Sequence, residues 1–215
     1  MIDEEKLKKE QQKLAKRIIL KNDIDDYRLI AGCDAVYTGK KIIYAIIVFD
    51  KNMNVKEKKY TIMNSNMPYM KNYVAYRECP AAVETYHKLE IDPDVLMVVG
   101  AGIMHPRKIG MASHLGLLID KPTMGVSKEL IHGEVDRDYI YDGNEKIGLL
   151  MKTKEHAKPI YVSPGHRIGM QKSLEIAKEN MGDKKLPIPL HETHKFANKI
   201  KKKIKEEKKE ENKES

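Results

Sequence analysis

Three strand-like runs follow one another early in the sequence, and the short connections between them limit the folds that the chain can adopt. The runs span residues 28–37, 41–49 and 56–63, and only the tripeptide TGK separates the first two. A connection this short is typical of a β-hairpin, because parallel strands need a crossover of a dozen residues or more. We therefore predict an antiparallel meander of three strands.

Helical and strand-like segments alternate after this meander. The run at 94–99 is apolar throughout, which is typical of a strand buried on both faces. The remaining pattern predicts helices at 4–21, 80–89, 108–119 and 171–180, and strands at 122–126, 147–152 and 160–162. An α/β fold follows, with a mixed sheet in which parallel strands come after the antiparallel meander, and with flanking helices. We expect one domain over 1–198 and a charged tail at 199–215 that is a frayed helix or disordered.

The charge balance is compatible with a nucleic-acid partner but does not require one. Lys and Arg number 40 against 32 Asp and Glu, which gives a net charge of +8. A Lys-rich, solvated surface would explain the same excess. The apolar runs are far shorter than the roughly 20 residues that span a bilayer, so no membrane contact is expected. The charged N-terminal stretch does not resemble a secretory signal, and only two cysteines are present, so we expect a cytoplasmic protein.

Two acidic residues lie where a carboxylate needs an explanation. Asp34 belongs to the strand-like segment LIAGCDAVY, where a carboxylate is costly unless it is paired, protonated or bound to a cation. The alternative is a strand-edge Asp that faces water. Glu78 follows Arg77 just before a predicted helix, where it could serve a site or simply interact with the helix dipole.

A Gly-rich segment follows the buried strand at 94–99. Residues 100–116 read GAGIMHPRKIGMASHLG and contain His105 and Arg107. In open α/β sheets, ligands collect beyond the carboxyl ends of strands, and glycines allow the backbone to approach a substrate closely. Arg107 suits a phosphate group and is a candidate nucleic-acid contact. The spacing does not match the common nucleotide-binding loops, and a purely structural turn is the alternative.

Two later segments add basic side chains. PTMGVSK places Lys128 just past a short strand, where its charge could neutralise a phosphate. PIPLHETHK supplies His191 and His194, which are three residues apart and could face one site on a helix. Isolated histidines are often structural, so both interpretations of His194 stay open.

Taken together, these segments resemble the endonuclease V family, the deoxyinosine 3′-endonucleases with an RNase H-like fold. The resemblance covers about residues 10–197 and is carried by AGCDAVY, PYM followed by AYRECP, GAGIMHPRKIGMASHLG, PTMGVSK and YVSPGHRIG. By this resemblance, Asp34 matches the metal-binding carboxylate of the first strand and Glu78 the second acidic residue of the site. Tyr69 matches an aromatic wedge that is inserted where the altered base lies.

Further matches concern the phosphate and the altered base. The resemblance implies that His105 and Lys128 are active-site residues near the scissile phosphate, and that His194 is a late active-site histidine. It also implies that Gly100 and Gly102 belong to a loop that lines the pocket for the altered base.

The sequence departs from the family pattern at one position of the implied metal site. Where the family usually has an Asp followed by Gly, this chain has Val99 followed by Gly100. That Asp is normally a metal ligand, so the substitution removes one of the hard oxygen ligands that Mg²⁺ requires. Asp34 and Glu78 would then hold the ion with substrate phosphate and water.

The resemblance implies a hydrolase of DNA repair that depends on Mg²⁺, with Mn²⁺ as a possible substitute. It would nick DNA at the second phosphodiester bond 3′ of a deoxyinosine and leave a 5′-phosphomonoester. Two alternatives stay open: a weakly active or non-cleaving binder of inosine-containing DNA or RNA, because of Val99, and an inosine-specific ribonuclease. We expect a monomer.

Overall fold

A mixed sheet organises the protein, and the computed structural model describes residues 2–153 and 158–214. The strands are β1 (Leu29–Thr38), β2 (Lys41–Asp50), β3 (Val55–Asn64), β4 (Val95–Val99), β5 (Thr123–Ser127), β6 (Glu134–Asp136), β7 (Tyr139–Asp142), β8 (Glu145–Met151) and β9 (Ile160–His166). The helices are α1 (Glu4–Ala15), α2 (Val74–His87), α3 (Met111–Ile119), α4 (Met170–Glu179) and α5 (Ile188–Glu214). Within the described residues, the strands form one sheet in the order β3-β2-β1-β4-β5-β9-β8-β7-β6.

The predicted meander is confirmed. β1 pairs antiparallel with β2, and β2 pairs antiparallel with β3. The turn between β1 and β2 uses Gly39 at a φ of 57°, in the left-handed region that glycine adopts without a steric penalty. Successive β2 side chains point to opposite faces, so Ile42 and Tyr44 pack toward α2 while Ile43 and Ala45 pack toward α5. Both faces of β2 are therefore buried, which explains its continuous apolar sequence.

The predicted parallel strands are also confirmed. β4 pairs parallel with β1 on one side and with β5 on the other. The register places Cys33 opposite Val98, and Val99 opposite Val126. Because parallel strands end at the same edge of a sheet, the residues that follow Cys33, Val98 and Val126 lie side by side.

The prediction of a helix at 4–21 is wrong at its C-terminal end, since α1 stops at Ala15. The backbone N–H of Ile19 donates to Nδ1 of His166 at 3.3 Å, and the Ile19 carbonyl accepts from the N–H of Arg167 at 2.7 Å. These bonds to the end of β9 replace the intrahelical bonds that a longer α1 would make.

The prediction that a helix begins at Pro80 is wrong too, because α2 begins at Val74 and contains Pro80. Proline inside a helix cannot donate the usual backbone hydrogen bond. Burial of Ala75 and Cys79 against the sheet offsets that loss. The helix predicted from residue 108 begins at Met111, since Lys108 has a φ of 56°, which is incompatible with a helix.

Two short strands were not apparent from the sequence pattern, and the last helix crosses the boundary expected at residue 198. β6 and β7 are three and four residues long, and β6 is exposed throughout, so it shows no alternation of apolar residues. α5 begins at Ile188 and continues through the charged tail to Glu214, so the tail is helical. Within residues 2–153 and 158–214, no helix is long and apolar enough to cross a membrane.

Candidate active site

The candidate site lies at the edge of the sheet where β1, β4 and β5 run side by side. A cleft there is lined by Asp34, Ala35, Val99, Gly100, Ser127, Lys128, Glu129, Leu186 and His194. The parallel register explains the arrangement. Cys33 pairs with Val98, so the next residues in each strand, Asp34 and Val99, are also neighbours. Lys128 follows the end of β5 and is exposed at the cleft.

Asp34 is buried and held by two hydrogen bonds. Its Oδ1 accepts from the N–H of Ala35 at 2.8 Å, and its Oδ2 lies 2.6 Å from Nδ1 of His194 in α5. Nδ2 of Asn198 lies 3.0 Å from Nε2 of His194, and an amide nitrogen can only donate. The His194 proton is therefore on Nδ1 and is donated to Asp34.

Glu78 reaches the same region from α2. It is only 8% exposed, and the Tyr37 hydroxyl donates a hydrogen bond to its Oε1. Burial, helped by the negative charge of Asp34 and opposed by the hydrogen bond from Tyr37, raises the pKa of Glu78 to about 7. The Arg77 guanidinium does not pair with this carboxylate; it stacks 4.5 Å from the centre of the Tyr37 ring.

The donor chemistry fits a divalent cation, although with few protein ligands. Asp34 and Glu78 supply the hard oxygen atoms that Mg²⁺ takes, and Mg²⁺ commonly completes its shell with water and substrate phosphate. A bound cation would also remove the charge repulsion that Asp34 exerts on Glu78. No three His, Cys, Asp or Glu side chains in the described ranges are grouped closely enough to hold a metal ion. Val99 supplies no ligand at this edge of the sheet, because its apolar side chain is half-buried against the core.

A smaller cavity of about 160 Å³ adjoins the cleft. Its wall includes Glu78, Val99, Gly100 and His105, and the exposed Tyr69 stands at its rim. Val99, Gly100 and Glu129 line both spaces, so the cavity and the cleft are neighbours.

Gly102 and Arg107, two of the predicted nucleic-acid contacts, do not line the cleft or the cavity. Gly102 packs against β9, where its N–H donates to Oγ of Ser163 at 2.8 Å and an added Cβ would come within 2.0 Å of the Pro164 carbonyl oxygen. The Arg107 guanidinium stacks 4.6 Å from the centre of the Tyr73 ring and binds groups of the protein itself. Gly102 therefore serves close backbone packing, and Arg107 is engaged internally.

His105 lies in the wall of the cavity rather than in the cleft with Lys128. Its Nε2 is 3.0 Å from the backbone carbonyl oxygen of Asn72, and its Nδ1 accepts from the N–H of Arg107 at 3.2 Å. Burial lowers the pKa of His105 to about 4, so the ring is neutral near pH 7.

Three residues of the site have no distinct signal in the sequence. Tyr37 donates to Glu78, Glu129 lines both spaces, and Gln11 lies in the wall of the cavity. Glu129 directly follows Lys128, which is the one local hint of its position. Tyr37 and Gln11 reach the site through contacts across the fold, and local sequence does not encode these.

Comparisons with known proteins agree with this geometry. The profile of the endonuclease V family matches residues 12–195. The chain is 34% identical over 200 residues to endonuclease V of Dictyoglomus turgidum, covering 88% of this chain and 87% of that protein. It is 34% identical over 199 residues to endonuclease V of Thermosipho melanesiensis, covering 89% of this chain and 88% of that protein.

Solved structures of the same family share the fold. Endonuclease V of Bacillus subtilis is 27% identical, with a TM-score of 0.88 over 96% of this chain and 95% of that one. Endonuclease V of Ciona intestinalis, in complex with a 24mer DNA containing an inosine followed by a ribo-adenosine, is 24% identical, with a TM-score of 0.84 over 94% of this chain and 100% of that one.

Proposed function

The chain belongs to the endonuclease V family of hydrolytic nucleases, and from that premise we propose that it nicks DNA near deaminated purines, deoxyinosine above all. The cut falls at the second phosphodiester bond 3′ of the altered base and leaves a 5′-phosphomonoester. The observation that carries this proposal is that the hydrogen-bonded pair Asp34 and His194 lines a cleft, and that the adjoining cavity has the buried Glu78 in its wall. We propose that the protein acts as a cytoplasmic monomer in DNA repair.

The residues of the cleft, together with Glu78 from the cavity wall, would act on the phosphate in different ways. Asp34 and Glu78 would hold the divalent cation, Mg²⁺ or Mn²⁺, which supplies charge neutralisation and a water of lowered pKa when bound. Lys128 is exposed in the cleft and would stabilise the negative charge that grows on the phosphate oxygens. His194 fixes the orientation of Asp34 through its Nδ1 proton, and its half-exposed ring lies at the edge of the cleft.

The cavity and its rim would hold the altered base. A base must leave the helical stack before an enzyme can read its edge, and unpairing costs least for a mismatched base. Tyr69 is 68% exposed at the rim, as expected for a side chain that fills the space left in the stack. Backbone groups near Gly100, the wall of the cavity and the neutral His105 would then surround the base.

The direct test compares nicking by the wild type and by Asp34→Asn, which removes the charge and keeps the shape. Duplex oligonucleotides with inosine or guanine at one position are incubated with Mg²⁺ or Mn²⁺, and the cut is mapped on a denaturing gel. We expect inosine-dependent nicking that falls at least about a hundredfold in the variant. Asp138→Asn is the matched control, since Asp138 is exposed and lies outside both spaces. Equal rates for Asp34→Asn and the wild type would contradict the proposal.

Two specific observations favour other activities at this site. By the family resemblance, Val99 stands where a metal-binding Asp is usual, which favours a weakly cleaving or non-cleaving binder of inosine-containing nucleic acid. The Ciona intestinalis protein was crystallised with a DNA in which a ribo-adenosine follows the inosine, which favours a test of ribonucleotides. Gel shifts with inosine-containing DNA and RNA, run beside the nicking assay, distinguish binding from cleavage and DNA from RNA.

A further inference from the structure

A buried glutamine connects α1 to the wall of the 160 Å³ cavity that is proposed to hold the altered base, called the base cavity below. α1 is described along its whole length, and Gln11 is the residue of that helix that is fully buried. A buried side-chain amide is costly unless both of its ends are hydrogen-bonded. In this protein both ends are used, and both partners belong to the surroundings of the cavity.

The partners fix the orientation of the Gln11 amide. Oε1 accepts a hydrogen bond from Nε of Arg107, and a guanidinium can only donate. Nε2 donates to the backbone carbonyl oxygen of Asn72 at 3.0 Å, and a carbonyl can only accept. Reversing the amide would therefore break both bonds.

The Asn72 carbonyl oxygen is a meeting point of three segments that are distant in sequence. Besides Gln11, it accepts from Nη2 of Arg107 at 3.1 Å. Nε2 of His105 lies 3.0 Å away, and it carries the ring proton because Nδ1 of His105 accepts from a backbone N–H. Asn72 itself has a φ of 68°, in the left-handed region that asparagine adopts more readily than other residues with a side chain.

The supported segment carries the residue expected to enter the DNA. Asn72 lies three residues after the exposed Tyr69 and two residues before α2, which presents Glu78. Without its anchors, this segment would have to be ordered when the substrate binds, at a cost in affinity. The anchors place it in its working position beforehand.

We propose that Gln11 is a positioning residue that preorganises the segment 66–73, and that it thereby strengthens the binding of inosine-containing DNA. The inference rests on the proposed function, because it assumes that an altered base enters the cavity beside Tyr69. Gln11 acts through Asn72 and Arg107, while the cleft that holds the phosphate is built from other elements.

The test uses Gln11→Met, which keeps the length of the side chain and removes both hydrogen bonds, and Gln11→Glu, which keeps the acceptor for Arg107 and removes the donor to Asn72. Gln12→Met and Gln12→Glu are matched controls, since Gln12 is exposed on the same helix. Hydrogen–deuterium exchange of the DNA-free protein reports the order of residues 66–73. Nicking kinetics, and the fluorescence of a 2-aminopurine next to the inosine, report recognition of the base.

We expect faster exchange at 66–73 in both Gln11 variants, with strands β1 and β2 still protected. We also expect kcat/KM for inosine DNA to fall roughly tenfold to a hundredfold, mainly through KM, with a smaller 2-aminopurine signal. The inference is overturned if the Gln11 variants match their Gln12 controls, or if β1 and β2 lose protection together with 66–73. A wild-type protein without inosine preference would instead refute the proposed function.

Discussion

At the scale of single residues, Val99 ends a buried strand beside Asp34, and its side chain lines both the cleft and the base cavity. We predict that Val99→Asp binds Mn²⁺ about tenfold more tightly than the wild type, because a third carboxylate adds a hard oxygen ligand. Isothermal titration of the DNA-free protein with Mn²⁺ measures this without relying on activity. Val135→Asp is the control, since Val135 is exposed on β6. Unchanged affinity in Val99→Asp would show that this position is not a missing ligand.

A second prediction concerns His114, which is buried on α3 with Nδ1 unpaired among the described residues. Burial lowers its pKa from 6.5 to about 4. The unfolded chain therefore takes up a proton at this residue before the folded protein does, so stability is present above pH 6.5 and is lost as the pH falls toward 4. One such group accounts for about 3 kcal/mol over that window.

Replacing His114 by Gln should flatten the loss of stability between pH 6.5 and pH 4. Urea unfolding at several pH values measures it, with His87→Gln as the control because His87 is exposed. If His114→Gln keeps the pH dependence of the wild type, the acid sensitivity has another origin.

The sequence allowed part of the site to be predicted at this scale. Asp34 lies within a recognisable strand and Lys128 just past another. The register of the parallel strands brings both residues to one cleft. Arg107 also follows a recognisable strand, yet its side chain binds Gln11, which is 96 residues away in the chain. Such partners depend on how α1 packs against the loop after β4, and no local pattern contains that information.

At the scale of elements, the β1–β2 hairpin depends on the left-handed backbone of Gly39. An added Cβ there would meet no atom within 4 Å, so substitution tests backbone strain alone. We predict that Gly39→Ala lowers the free energy of unfolding by about 1 kcal/mol. Gly39→Asn should lose less, because Asn visits this region more readily. Equal losses in chemical denaturation would mean that the turn is not limited by backbone conformation.

The elements differ in how well the sequence predicted them. The strands β2, β4 and β5 were predictable because nearly all of their residues are buried. β3 has a single buried residue, Thr61, and its sequence accordingly shows weaker alternation. The C-terminal end of α1 and the start of α2 were not predictable. The backbone of Ile19 hydrogen-bonds to His166 at the end of β9, which ends α1 early. Burial of residues before Pro80 lets α2 begin at Val74. Contacts across the fold overrode local preferences in both cases.

At the scale of the whole molecule, α5 carries nine Lys against six Glu and runs from His194 in the cleft into the charged tail. Lys199 and Lys203 are exposed and one helical turn apart. We predict that Lys199→Gln combined with Lys203→Gln weakens DNA binding uniformly across sequences and reduces the slope of log K against log salt by roughly 2.

Fluorescence anisotropy at several salt concentrations measures that slope. A double variant of Lys8 and Lys9, which removes the same charge from exposed positions on α1, is the control. If both double variants change the slope equally, net charge rather than α5 governs the interaction.

A single-turnover time course tests the proposed nuclease activity most directly. It uses paired duplexes that differ only by inosine or guanine at one position. With Mg²⁺ or Mn²⁺ present, we predict a nick at the second phosphodiester bond 3′ of the inosine, a 5′-phosphate on the product, and little cutting of the guanine duplex. Absence of inosine-dependent product with either metal at excess enzyme would contradict the assignment of Asp34 and Glu78 as the centre of a deoxyinosine nuclease.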